Sequence, residues 1–165
     1  MSVEIITDKI DQFHMALGKF VEAWAAAEYC IDNLILLTAP DHLSNLVLFE
    51  DDADVAKLPY QFTAKIKRIR SRLYPTLEPL QRDKLAHAID RLQELQEKRN
   101  DYVHGAAIER YFSQSEMAIK MGRLLQPSKR EPVRVTAADI EAAAKAVADL
   151  GDSLFRTLMI IREGP

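Results

Sequence analysis

The chain has few of the residues that form disulfides and metal sites. It contains one cysteine, Cys30, which excludes a disulfide framework and a cysteine-based metal site. Three of the four histidines, His14, His42 and His87, are scattered without the spacing of metal ligands. We therefore expect neither a metal nor a cofactor, and a lone thiol favours a reducing, intracellular compartment.

Long apolar runs and an excess of positive charge are also missing. No apolar run approaches the ~18 residues of a membrane span, and the residues after Met1 lack the basic start and apolar core of a signal peptide. We therefore expect a cytoplasmic protein with no membrane association. The net charge of -3 offers no global attraction to nucleic acid, so such binding needs a local patch. The length of 165 residues predicts one domain over residues 1–165.

Four segments carry apolar residues at the spacings of three and four that are typical of amphipathic helices. They cover about residues 2–37, the stretch from Pro59 to Pro75, residues 76–103, and the stretch after Thr136. Asp139, three residues after Thr136, is placed to cap the last helix. Residues 41–57 are predicted only as a connection with one short element.

Between the third and fourth helices the spacing of apolar residues along the sequence changes. Residues 108–112, 117–124 and 133–135 alternate or cluster like short strands, with polar turn signals between them. They predict a small hairpin. The expected fold class is therefore all-α: a four-helix bundle with a small β-hairpin insertion between the third and fourth long helices.

The segment from Arg99 to Gly105, which ends the third helix, is the one that points to a chemistry. At about 100° per residue, Arg99 projects from the centre of the apolar face. A guanidinium cannot lose its charge, so it needs a carboxylate, a solvated cleft or an anionic ligand. His104 lies about 140° further round a regular helix. We expect the two side chains to converge on one phosphate only if the helix loosens before Gly105 or a partner protomer supplies the second residue.

The order of these features resembles the HEPN family (higher eukaryotes and prokaryotes nucleotide-binding). The likeness covers the long first helix with Trp24 and Glu28, the pair Arg99-Asn100, His104-Gly105 and the closing helix. It implies a metal-independent endoribonuclease of toxin or defence type, or a degraded relative. The resemblance also implies a homodimeric site, RNA as substrate and an antitoxin as a further partner. In that mechanism the 2′-hydroxyl attacks the phosphate, leaving a cyclic phosphate and a free 5′-hydroxyl.

The residue types fit those roles. The imidazole of His104 can act as general base or acid near neutral pH, and Arg99 offers a planar fork of donors for a charged phosphorane. Asn100 shares a helix face with His104 and can bond the imidazole or a phosphate oxygen. Tyr102 is expected to pack at the core edge, and Asp101 to face solvent or a partner.

Structural explanations stay open beside these roles. His104 is also explained as a cation favoured at a helix C-terminus. Arg99 is also explained as the partner of a buried carboxylate, for which Glu28 is the candidate; such a pair would equally hold the guanidinium in position for catalysis. Two further functions therefore remain: a non-catalytic RNA- or nucleotide-binding relative, and a helical protein-interaction domain in which Arg99 and Glu28 are structural.

The second helix adds a dense basic cluster. Five of eight consecutive positions are cationic: Lys65, Lys67, Arg68, Arg70 and Arg72. A solvated helix face explains this composition, and so does a track for an RNA backbone, which would let an acidic protein hold a polyanion.

Overall fold

The computed structural model describes residues 3–38, 59, 61–104, 106–113, 116–122 and 132–163. Within these ranges the chain forms the following elements: α1 (Val3–Leu36), α2 (Phe62–Arg68), α3 (Pro79–His104), β1 (Ala106–Phe112), β2 (Met117–Gly122), β3 (Val133–Thr136) and α4 (Ala137–Glu163). The prediction of a mainly helical fold with a β insertion between the third and fourth helices is confirmed. Residues 41–57 and Gly105, for which the sequence predicted a connection and a helix terminator, lie outside the described residues.

The first helix agrees with its predicted bounds to within one residue at each end. Its apolar residues fall on one face, so Phe13, Phe20 and Ile31 are buried. The last turn closes through Thr38, whose backbone N–H donates to the carbonyl of Ile35 at 2.9 Å. This bond satisfies one of the carbonyls that a helix end leaves without a partner.

The second helix differs from its prediction in its last turns. Regular α-helix stops at Arg68, continues as a π-helical turn (Ile69–Leu73) and ends in a 3-10 turn (Tyr74–Thr76). Pro75 lies at the start of that 3-10 turn, where no backbone N–H is needed. Leu77 is extended, with ψ 146, so the predicted start of the third helix at residue 76 is wrong and α3 begins at Pro79.

The β insertion is larger than the predicted hairpin. The three strands form one antiparallel sheet in the order β1-β2-β3. Ile119 pairs with Arg110 on one side and with Val135 on the other. The third strand joins because β2 is apolar along most of its length, and the sheet buries Met117 and Met121 on it. Residues 118–121 of β2 are therefore paired on both sides of the strand.

The last helix starts at the residue that the sequence indicated. The backbone N–H of Asp139 donates to Thr136 Oγ1 at 3.1 Å, and the backbone N–H of Thr136 donates back to Asp139 Oδ2 at 2.9 Å. This reciprocal pair is a capping box, which satisfies two donors at the helix start. The hydrogen bonds from Thr136 hold the pKa of Asp139 below its usual range.

The chain divides into two compact units, each assembled from separate stretches. The first unit comprises Met1–Ala25 and Glu94–Asp149, and the second comprises Ala26–Gln93 and Leu150–Pro165. The first unit buries aromatic residues of α1 and α3 together with apolar residues of β2, β3 and α4, among them Phe13, Phe20, Trp24, Tyr102, Met117, Ile119, Val135, Ile140 and Val147. The second buries mainly aliphatic residues, among them Ile31, Leu34, Ile35, Ile66, Ile69, Leu85, Ile89, Leu92 and Leu154.

Burial on this scale is the main stabilising contribution in each unit, at about 1.5–3 kcal/mol for each large apolar side chain. None of the helices among the described residues has an apolar stretch long enough to cross a membrane. The single-domain assignment for residues 1–165 stays a prediction.

Candidate active site at the end of helix α3

Tyr102 anchors the end of α3 in the first unit. Its ring is 6% exposed and meets Phe20 of α1 edge-on, with centroids 5.1 Å apart and planes at 76°. Such an edge-to-face pair contributes about 0.5–1.5 kcal/mol beyond its burial. Burial, with the nearby charges of Asp139 and Asp101, raises the pKa of Tyr102 above its usual value. The phenol therefore stays neutral, and its role is packing, as the sequence indicated.

The last turns of α3 are unevenly buried. Tyr102 is 6% exposed, whereas Leu95 is half-buried and Val103 is 38% exposed. Arg99, which the sequence places on the apolar face, is half-buried. Its charge is therefore not enclosed in the interior of the protein.

Arg99 contacts two side chains of its own helix. Its NH1 lies 2.7 Å from His104 Nε2 and 3.2 Å from Asn100 Oδ1. Helix α3 stays regular through His104, and the two side chains nevertheless contact each other within one chain. Their convergence on one phosphate stays a prediction. The helical-wheel angle describes where side chains leave the backbone, and the long arginine side chain spans the remaining separation.

A hydrogen bond between Arg99 and His104 requires the imidazole nitrogen to be the acceptor. A guanidinium has five N–H donors and no acceptor, so His104 Nε2 accepts the hydrogen bond. An imidazole that accepts at Nε2 is neutral and carries its proton on Nδ1. His104 is exposed, which leaves this ring open to a ligand from solvent.

The charge of Arg99 has no carboxylate partner among the described residues of its own unit, where its polar contacts go to the two neutral side chains of Asn100 and His104. Glu28, the predicted partner, is half-buried and belongs to the second unit, so that pairing stays a prediction. Asp101 is half-buried, and its charge acts on the neighbouring phenol. A half-buried guanidinium bonded to neutral groups is suited to receive an anion.

The five cations of the second helix have different surroundings. Lys65 is 9% exposed and pairs with Asp32 at 2.7 Å, while Arg68 Nε donates to Thr38 Oγ1 at 3.4 Å. Arg70 bonds Asp90 Oδ1 at 2.5 Å and Gln93 Oε1 at 2.7 Å.

Lys67 and Arg72 are exposed. The cluster is therefore not one uniform basic surface, because Lys65 contributes to folding of the second unit through its partly buried ion pair. RNA binding by this helix stays a prediction, and it depends mainly on the exposed members.

Metal ligands are not grouped in the described ranges. No three side chains among the histidines, cysteines, aspartates and glutamates that the structure describes lie together as a metal site requires. Comparison with known proteins gave no match to a family model, a curated protein or a solved structure.

Proposed function

We propose that the chain is a metal-independent endoribonuclease of toxin or defence type, with Arg99 and His104 as its catalytic pair. The contact between these two side chains, at 2.7 Å on an exposed helix end, carries the proposal. It joins a group that can take or give a proton to a fork of donors that can stabilise a phosphate. The resemblance to the HEPN family supports the choice of RNA.

The resting contact defines how the reaction begins. In the resting site Arg99 donates to the lone pair of His104 Nε2, which is the lone pair that a general base uses. A scissile phosphate offers Arg99 a charged acceptor, which forms stronger hydrogen bonds than a neutral nitrogen. The guanidinium then turns to the phosphate, and Nε2 is released as a general base.

The chemical step transfers one proton and exchanges one bond. His104 Nε2 takes the proton of the 2′-hydroxyl, the 2′-oxygen bonds to phosphorus, and the bond to the 5′-oxygen breaks. The leaving oxygen takes a proton from solvent water and departs as the 5′-hydroxyl, and His104 returns its proton to the solvent, so that one proton has passed in net from the 2′-oxygen to the 5′-oxygen. The phosphorus remains in a 2′,3′-cyclic phosphate. Arg99 donates to the non-bridging oxygens as their charge grows, and Asn100 holds the guanidinium in place.

Cleavage of single-stranded RNA in excess EDTA tests this proposal. Wild-type protein should cut, and His104→Ala should lower the rate by ~10² to 10⁴, the usual effect of removing a general acid or base. His87→Ala is the matched control, because it removes an exposed histidine from the same helix. Binding without cutting by wild type would replace the enzyme by a non-catalytic RNA-binding module. Equal cutting rates for His104→Ala and His87→Ala would remove His104 from the catalytic pair.

A further inference from the structure

A groove with a mainly apolar surface and several polar side chains among its lining residues lies on the second unit, between α3 and the stretch formed by α2 and the π-helical turn after it. Its volume is about 340 Å³, and Ile66, 1% exposed, forms its apolar floor. The lining residues are Thr63, Ile66, Lys67, Arg70, Ser71 and Gln93. Two of them are cations and none is a carboxylate, so the groove favours an anion.

The groove follows one face of α2 and of the π-helical turn after it. Thr63, Lys67 and Ser71 are spaced by four residues, which places them in one row along a helix. The row continues from α2 into the π-helical turn that carries Arg70 and Ser71. Single π turns within helices are frequent at functional sites. The basic residues that line the groove therefore belong to one continuous face, whereas Lys65 is buried against Asp32.

Hydrogen bonds inside the second unit orient the donors of this groove. Arg70 donates to Gln93 Oε1 at 2.7 Å, and since a guanidinium only donates, the NH2 end of the Gln93 amide is left for a ligand. Asp90 balances the charge of Arg70. Lys67 forms no ion pair among the described residues of its unit, so it supplies the uncompensated positive charge.

Ser71 adds an acceptor beside these donors. Its hydroxyl proton is donated to the carbonyl oxygen of Arg68 at 3.2 Å, which leaves the lone pairs of Ser71 Oγ to accept a hydrogen bond. A phosphate oxygen cannot supply such a bond, whereas a ribose 2′-hydroxyl can. A groove that combines phosphate donors with one hydroxyl acceptor matches a nucleotide of RNA.

We propose that this groove binds one phosphate and the adjoining ribose of an RNA strand. Lys67 provides the charge, Arg70 and Gln93 donate to phosphate oxygens, and Ser71 accepts from the 2′-hydroxyl. The choice of RNA rests on the proposed function. The binding surface therefore consists of Lys67, Arg70, Ser71 and Gln93, and it leaves out Lys65 and Arg68.

Salt-dependent binding of labelled single-stranded RNA to the His104→Ala protein tests the groove without cleavage. Adding Lys67→Gln should weaken binding and lower the slope of log affinity against log salt by about 0.7, the value for one phosphate contact on a single strand. Gln93→Glu, which places a carboxylate against the phosphate, should weaken binding as well. Lys84→Gln is the matched control, because it removes one exposed lysine of α3 outside the groove.

The outcomes separate this inference from the proposed function. Equal salt slopes for Lys67→Gln and Lys84→Gln would contradict RNA binding in the groove, whether or not wild type cuts RNA. A lower slope for Lys67→Gln alone supports the groove, even if wild type fails to cut, in which case only the catalytic proposal falls. Equal affinity for RNA and for DNA of the same sequence would remove Ser71 from the assignment.

Discussion

At the scale of single residues, the surroundings of Arg99 decide what the end of α3 can do. Its guanidinium is half-buried and bonded to Asn100 and His104, so a phosphate entering from solvent needs to displace only neutral partners. A carboxylate partner would have held the arginine more strongly, because the attraction between two opposite charges would have added to the hydrogen bond. Arg99 can therefore exchange its present hydrogen-bond partners for a phosphate.

The contact between Arg99 and His104 predicts a tautomer. At a pH where imidazoles are neutral, nitrogen-15 spectra should show His104 with its proton on Nδ1 and a bare Nε2. Arg99→Ala should change that ratio, because the donor that fixes Nε2 is gone. His87, exposed on the same helix, provides the reference signal. An unchanged tautomer ratio at His104 in Arg99→Ala would show that the contact does not set the state of the ring.

Arg99→Lys separates charge from geometry. Lysine keeps the positive charge but lacks the planar fork that can bind two phosphate oxygens at once. We expect RNA binding to persist while the cleavage rate falls at least 10-fold, roughly the loss of one transition-state hydrogen bond. Saturating and single-turnover kinetics measure the two quantities separately. A lysine variant that cuts at the wild-type rate would reduce the role of Arg99 to charge alone.

At the scale of elements, the positions of the helices were predictable from local sequence pattern. The departures from regular helix depend on residues that are distant in the chain. Apolar spacing located α1 to within a residue, and Thr136 with Asp139 located the start of α4. The π-helical turn after Arg68 left no sign in the apolar spacing. Local pattern also located the third strand, at residues 133–135, but not its pairing with β2 across the intervening segment, since strand pairing is not specified by local pattern.

The candidate site was also predictable from the sequence only in part. Residue types alone selected Arg99, Asn100 and His104, but their contact depends on side-chain reach rather than on the helical-wheel angle. The burial of Lys65 depends on Asp32, 33 residues earlier in the chain. Gln93 carries no chemistry that would mark it in a sequence, and only its bond to Arg70 relates it to the groove.

Gly18 gives a stability prediction for α1. It lies within this helix, and a methyl group added there would meet no atom within 4 Å. Gly18→Ala should therefore raise the free energy of unfolding by up to about 1 kcal/mol, the difference in helix propensity between the two residues. Chemical denaturation measures the change. A destabilised variant would show that this position is not open within the helix.

The capping box of α4 predicts a pH dependence. Because its pKa is lowered in the folded state, Asp139 stabilises the fold above its unfolded pKa of about 3.9. That contribution is lost as the pH falls through the folded value. Asp139→Asn should therefore be less stable than wild type at pH 7, and the gap should narrow below about pH 4. Denaturation at a series of pH values measures the gap; one of constant size would contradict the assignment.

At the scale of the whole molecule, the resemblance to the HEPN family extends the proposal to a homodimer, with an antitoxin protein as a further partner. Val103 is 38% exposed one residue before His104, which places an apolar side chain beside the site. Burial of this side chain against a second copy would contribute to association. The contact between Arg99 and His104 forms within one chain, so the dimer is not needed to bring these two residues together.

Light scattering tests the dimer. We expect a particle of twice the 18.7 kDa of one chain, and Val103→Asp should shift it toward the monomer because it would bury a charge at the contact. Val21→Asp, at another exposed apolar position of the first unit, is the control. A wild-type protein that stays monomeric at high concentration would remove the dimer from the proposal.

The central claim is that the Arg99 and His104 pair activates a 2′-hydroxyl, and mass analysis of the cleavage products tests it most directly. Two oligonucleotides of one sequence are compared in EDTA, one of RNA and the other with every 2′-hydroxyl methylated. RNA should yield fragments ending in 2′,3′-cyclic phosphate with matching 5′-hydroxyl ends, and the methylated strand should survive intact. Cleavage of the methylated strand, or fragments carrying 5′-phosphate, would contradict it.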